Sequence, residues 1–193
     1  MASGKAAVFL DRDGVINNHG GYINSAEEFA LLPGAAAAVR RLNEAGVPVV
    51  LVTNQGGVAL GYLTKDELEA IHGRMNAQLA EGGAKLDGVY ACLYHPKGTV
   101  PGLGRISRCR KPQPGMLEAA ARDHDLDLSR SYMVGDMTTD IVAGKNAGCR
   151  TVLVQTGQAG GDGQVEATPD FVAKDVGDAV EIILTEMNGN KSE

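Results

Sequence analysis

A chain of 193 residues, 44% hydrophobic and 22% charged, is long enough to bury a real core and suggests one globular domain. Its formal net charge of -6 argues against non-specific nucleic-acid binding, which needs a basic surface, but leaves room for a small anionic substrate at a local basic patch. The three cysteines, the lack of any apolar stretch near the ~20 residues of a membrane span, and a start (MASGKAAVFLDRDG) without a signal-peptide core predict reduced thiols in a cytoplasmic protein with no membrane contact.

Short β-branched runs alternate with segments of helical period. The run 6–10 (AAVFL) reads as a buried strand, and 33–46 as a helix opened by Pro33 and closed by Gly46. A second strand is expected at 48–53. A helix follows at 64–83, with Thr64 as N-cap and Glu67 at capping-box spacing. Next come a strand at 89–94, a helix at 114–125, a strand at 131–136, a helix at 138–148, strands at 150–155 and 170–175, and a closing helix at 176–188. The glycine-rich stretch 157–163 reads as a mobile surface loop. Alternating strands and helices, with strands that are almost wholly apolar, predict a three-layer α/β/α sandwich around a mainly parallel sheet. The whole chain, 1–193, reads as one domain without a separate cap. Loops 17–32, 54–63 and 95–112 are left to cover the site.

The chemistry concentrates at strand ends, where open α/β sheets bind ligands. The first strand ends in Asp11 and Asp13, the second in Thr53, Asn54 and Gln55, and the strand at 131–135 in Asp136, with Asp140 one helical turn on. Carboxylates gathered on one edge repel unless a cation lies between them, and hard oxygen ligands suit Mg²⁺. From Gly88 to Leu117 the chain has no acid but carries Lys97, Arg105, Arg108, Arg110 and Lys111. Cations beside a metal-carboxylate cluster are what a transferring phosphoryl group requires. An aspartate in that setting can itself be the nucleophile.

Asp11-Arg12-Asp13-Gly14, then Thr53, then Lys111 before Pro112, then Gly135-Asp136 and Asp140, resemble in order the four motifs of the haloacid dehalogenase superfamily of phosphotransferases. The segments FLDRDGVIN, VTNQGG, C-x-x-H-P and CRKPxPGM resemble its histidinol-phosphatase-like branch. The resemblance implies a phosphoric monoester hydrolase in which Asp11 attacks phosphorus and Asp13 protonates the leaving oxygen, then activates water. It implies Mg²⁺ held by Asp11, the Asp13 backbone carbonyl and Asp136, and phosphoryl oxygens bound by Thr53 and Lys111. His19, Asn54, Gln55, Gly56 and Arg110 would contact the rest of the substrate, and Asp140 would orient Lys111 or a metal-bound water. The implied substrate is a sugar phosphate, foremost the 7-phosphate of D-glycero-D-manno-heptose 1,7-bisphosphate. Histidinol phosphate, or a broad range of small phosphomonoesters, is the alternative. A monomer is expected.

Two departures stand out. In the relatives, Cys-x-His and Cys-x-Cys fold the loop between about 92 and 112 around zinc. Here Cys92 and Cys109 remain, but Tyr94 and Ser107 occupy ligand positions and His95 is one residue out of register. A structural zinc wants four nitrogen or sulfur ligands, so none is expected. Met137 follows Asp136 where a phosphate-contacting lysine is common, which weakens the case for a bisphosphate.

Overall fold

The computed structural model describes residues 4–18 and 21–189. Six strands form one sheet: β1 (Val8–Leu10), β2 (Val49–Asn54), β3 (Gly88–Cys92), β4 (Tyr132–Gly135), β5 (Arg150–Val154) and β6 (Phe171–Ala173). Their order is β3-β2-β1-β4-β5-β6, and every pairing is parallel. The helices are α1 (Ala35–Glu44), α2 (Gly57–Leu60), α3 (Lys65–Glu81), α4 (Gly115–His124), α5 (Thr138–Ala147) and α6 (Val176–Gly189).

Successive strand side chains point to opposite faces, and both faces are buried. Val8, Leu10, Val49, Leu51 and Val134 join the core beneath α1, α3 and α6. Phe9, Val50, Val52 and Met133 join the core beneath α4 and α5. Each helix meets its core along one stripe, as with Ala35, Ala38, Val39 and Leu42 of α1 or Leu68, Ile71, Met75 and Leu79 of α3. Full burial of such aliphatic side chains contributes about 1.5–3 kcal/mol apiece. The α3 capping box forms as expected: Thr64 Oγ1 accepts from the Glu67 amide, and Glu67 Oε2 accepts from the Thr64 amide.

The expected three-layer sandwich is thus present, with a wholly parallel sheet. The loop expected at 54–63 contains α2, and a 3₁₀ turn at Leu128–Arg130 precedes β4. One turn of helix is too short to show a period. No helix among the described residues is long and apolar enough to cross a membrane. Cys92 and Cys109, whose Cα atoms are 5.6 Å apart, are joined by a disulfide. The expectation of three reduced thiols is therefore corrected: the loop leaving β3 returns to its starting point and brings two of them together, and only Cys149, which is buried, is free.

From β1 the chain winds outward to β2 and β3 on one side, and β4, β5 and β6 extend the other. The reversal of strand order falls between β1 and β4, where an α/β sheet opens a crevice at its carboxyl edge. Asp11 follows β1 and Asp136 follows β4.

Candidate active site

Asp11 leaves β1 buried, its amide bonded to the Val134 carbonyl of β4. Its Oδ1 accepts from the Arg12 amide (2.7 Å) and lies 2.8 Å from Lys111 Nζ. Lys111 Nζ also lies 2.7 Å from Asp140 Oδ1 and donates to the Val52 carbonyl at 2.8 Å. One buried cation therefore bridges two buried carboxylates. Burial pushes the Asp11 carboxyl up to about 7, with Lys111 opposing and the charges of Asp140 and Asp13 adding to the rise. Burial also works against the charge of Lys111, but Asp11 and Asp140 outweigh it and the ammonium is held above its usual range.

Asp136 is fully buried at the end of β4, and its Oδ2 accepts from the Gln158 amide at 2.7 Å. Two glycines make room for it. A Cβ on Gly14, whose φ is +83°, would stand 2.3 Å from Asp136 Oδ2, and one on Gly157 would be 2.1 Å away. Oxygens of Asp11, Asp136 and Asp140 lie within 4.8 Å of one another, close enough to share a cation. The donor set fits Mg²⁺: it is all oxygen, and beside Asp140, which is committed to Lys111, it offers Asp11 and Asp136, the one or two carboxylates that this ion usually takes.

Asp13 is held from three sides. Arg12, 1% exposed, forks onto both its oxygens at 2.9 Å, Asn17 Nδ2 donates at 3.0 Å, and Gln55 Nε2 at 2.9 Å. Burial alone would raise its pKa. The Arg12 charge and these hydrogen bonds reverse that and hold it below the usual carboxylate range. Gln55 Nε2 also donates to Thr53 Oγ1 at 2.8 Å, so Thr53, Gln55 and Asp13 form one chain of contacts.

Asn54 is engaged with the backbone of Lys111: Oδ1 accepts from its amide at 3.0 Å and Nδ2 donates to its carbonyl at 3.1 Å. The strand end thus fixes the loop that delivers the lysine. Gly56 sits where a Cβ would press on His95 and on Arg110 Nη1, at 3.0 and 3.1 Å. Arg110 is half-buried, and its one side-chain hydrogen bond among the described residues goes to the Tyr94 carbonyl at 3.4 Å. Burial lowers its pKa while nearby Tyr22 opposes the shift. The structure therefore gathers Asp11, Asp13, Thr53, Asn54, Gln55, Gly56, Arg110, Lys111 and Asp136 at the carboxyl edge of β1, β2 and β4. His19 lies outside the described residues.

Around the two cysteines, Arg105 stacks over the Tyr94 ring at 4.2 Å and Ser107 Oγ lies 3.1 Å from Cys109 Sγ. His95 Nδ1 accepts from the Lys97 amide. In the disulfide, neither cysteine is a thiolate ligand.

Three features escaped the sequence reading. Arg12, flanked by two aspartates, is buried and turned onto Asp13. His72 of α3 touches Arg12 Nη1 at 3.5 Å, its pKa pushed down to about 4 by burial and by the Arg12 charge. The stretch 157–163 is a largely exposed loop, as expected, and it also bonds to the site. Gln158 and Gly160 amides bond Asp136, Asp162 Oδ1 caps α5 through the Thr138 amide, and Thr156 Oγ1 donates to the Gly14 carbonyl. The Gln158 amide reaches the Asp136 carboxylate, and the Gly160 amide reaches its backbone carbonyl.

A D-glycero-D-manno-heptose-1,7-bisphosphate 7-phosphatase from Thermosynechococcus vestitus is 49% identical over 191 residues, spanning 95% of this chain and 97% of that protein. The chain belongs to the haloacid dehalogenase-like phosphatases. The HAD-hydrolase-like family profile matches residues 108–179, the part that carries Lys111, Asp136 and Asp140. A D-glycero-beta-D-manno-heptose-1,7-bisphosphate 7-phosphatase from Yersinia pestis is 40% identical, covering 92% of this chain and 95% of that one. A crystal structure of D,D-heptose 1.7-bisphosphate phosphatase from B. bronchiseptica, complexed with magnesium and phosphate, superposes with a TM-score of 0.81 at 38% identity, covering 94% and 99% of the two chains. As a member of this family the chain is a phosphoric monoester hydrolase.

Proposed function

We propose that this HAD-like phosphatase removes the 7-phosphate of D-glycero-D-manno-heptose 1,7-bisphosphate by way of a phosphoryl group carried on Asp11. The observation that carries this reading is the Asp11–Lys111–Asp140 bridge beside Asp136, set at the strand-order reversal of a chain that matches heptose bisphosphate phosphatases over nearly its whole length.

Among the described residues, the Arg12 amide and Lys111 both meet Asp11 at Oδ1. We assign attack on phosphorus to the other oxygen, Oδ2. Lys111 and Thr53 receive the phosphoryl oxygens, and their placement by Asn54 and Gln55 is paid before substrate arrives. Asp13 gives a proton to the leaving sugar oxygen and then takes one from the water that hydrolyses the acyl phosphate. As a carboxylate fixed by Arg12, Asn17 and Gln55 it is set up for the second of these steps. For the first it must gain a proton, against the Arg12 charge and the hydrogen bonds that hold its carboxyl below the usual range. Mg²⁺, held by Asp11, the Asp13 carbonyl and Asp136, would offset the charge of substrate and carboxylates. Gln55, Gly56 and Arg110 face the sugar side, while Asn54 acts through Lys111. The chain acts as one catalytic domain without a separate cap, as a cytoplasmic monomer with no membrane or nucleic-acid partner.

Asp11→Asn tests the nucleophile. Phosphate release should vanish, and acid-stable radiolabel from a labelled 7-phosphate should no longer appear on the protein. Retained turnover in this variant would remove Asp11 from its role.

A further inference from the structure

Beside the phosphoryl-handling groups lies a feature the catalytic account does not use. Tyr22 and Tyr62 are 54% and 55% exposed, although large aromatics are usually well covered. They meet edge-to-face, with centroids 4.8 Å apart and planes inclined at 68°. Two consecutive glycines connect them to the site. A Cβ on Gly57 would lie 3.0 Å from Tyr22 Cδ1, and one on Gly56 would lie 3.1 Å from Arg110 Nη1. The turn that follows β2 thus abuts a cation at Gly56 and an aromatic ring at Gly57. Arg110 is half-buried, and among the described residues it forms no ion pair. A partly desolvated cation without an anion, beside two exposed rings, is complementary to a molecule that is anionic at one end and has an apolar C–H face at the other.

We propose that Tyr22 and Tyr62 form a platform for the carbon face of the sugar, beside the Arg110 already assigned to the substrate, so that this pair of rings determines the preference for sugar phosphates over small phosphoryl compounds. The inference rests on the phosphatase reading above and extends it to the part of the substrate that does not react. Two sides of the recognition surface are then assigned. Thr53 and Lys111 read the departing phosphoryl group, and the tyrosines read the sugar.

The test compares kcat/KM for heptose 1,7-bisphosphate, fructose 1,6-bisphosphate and ribose 5-phosphate with that for acetyl phosphate, which has no sugar. The proteins are wild type, Tyr22→Leu/Tyr62→Leu and Tyr22→Phe/Tyr62→Phe. The leucine pair should lower the sugar-to-acetyl-phosphate ratio about tenfold, the equivalent of ~1.4 kcal/mol, mainly through KM. The phenylalanine pair, which keeps the rings, should restore most of the ratio. An unchanged ratio in the leucine pair, or an equal loss with both substrate types, overturns the platform. Failure of the substrate reading looks different: wild type itself would prefer another sugar phosphate, and the ratio test then decides the platform on that sugar. Wild type that hydrolyses acetyl phosphate but no sugar phosphate overturns both.

Discussion

Replacing Lys111 with methionine removes one charge from the centre of the site while keeping much of the side-chain volume. The ammonium lies 2.8 Å from Asp11 and 2.7 Å from Asp140, and all three groups are buried. Breaking a buried ion pair by deleting one partner costs about 3–5 kcal/mol, because the remaining charge keeps its desolvation penalty. At roughly 2–4 °C per kcal/mol for a domain of this size, the melting temperature should fall by about 6–20 °C. The deficit depends on pH, and its sign follows from Asp11. Burial has already raised that carboxyl to about 7, and Lys111 is what opposes the rise. Without the lysine the folded protein holds its proton to still higher pH while the unfolded chain ionises near 4, so stability keeps falling as pH rises through that window. The variant should therefore lie closest to wild type near pH 4 and furthest above pH 7. Adding Mg²⁺ should stabilise the variant more than wild type, because a cation again faces the carboxylates. Adding Asp140→Asn to Lys111→Met should recover part of the loss, since one buried anion fewer is left unpaired. Thermal melts of the three proteins, with and without Mg²⁺, read all of this. A melting temperature within about 2 °C of wild type at pH 8 would refute the reasoning.

His72 offers a separate acid limb. Its folded pKa is lowered to about 4 from an ordinary 6.5, so the unfolded chain binds the proton first and stability falls as pH drops from 6.5 to 4, by about 3 kcal/mol in all. Asp11 acts in the opposite direction over the same range, so the difference is the readout: in urea titrations His72→Leu should gain stability relative to wild type as pH drops from 6.5 to 4, and an identical pH slope in both proteins would exclude His72 as a contributor. Gly14→Ala places a methyl group 2.3 Å from Asp136 Oδ2 at a φ of +83°; it should cost about 1–2 kcal/mol from the backbone alone and weaken Mg²⁺ activation. Wild-type metal dependence in that variant would mean the close approach has no consequence. Thiol titration of unfolded, unreduced protein should find one free cysteine, Cys149, of the three; three would remove the Cys92–Cys109 bond.

The parts of the fold that the sequence shows are those driven by burial. Runs such as Val49–Val52 are apolar on both faces because helices cover both, and the α1 and α3 stripes repeat at helical spacing. The acids at the ends of β1 and β4 are visible because charge ends an apolar run. What the sequence hides depends on the third dimension. An arginine between two aspartates reads as a solvated ion until the fold turns it inward onto Asp13. Asn54 reads as a substrate ligand, and only its proximity to the Lys111 backbone shows its amide to be engaged there. Gly157, Gly160 and Gly163 carry the composition of a mobile loop, yet their left-handed backbone lets the segment fold back over Asp136. The disulfide needs two cysteines that are 17 residues apart in the chain to meet, which spacing alone does not reveal.

The most direct test of the account is phosphate release from both anomers of heptose 1,7-bisphosphate, alongside fructose 1,6-bisphosphate and histidinol phosphate, each with Mg²⁺ and with EDTA. The account predicts rapid release of a single phosphate from a heptose 1,7-bisphosphate with Mg²⁺, a clear preference for it over the other two substrates, and almost none with EDTA. Release that persists in EDTA, or a preference for histidinol phosphate, would contradict it.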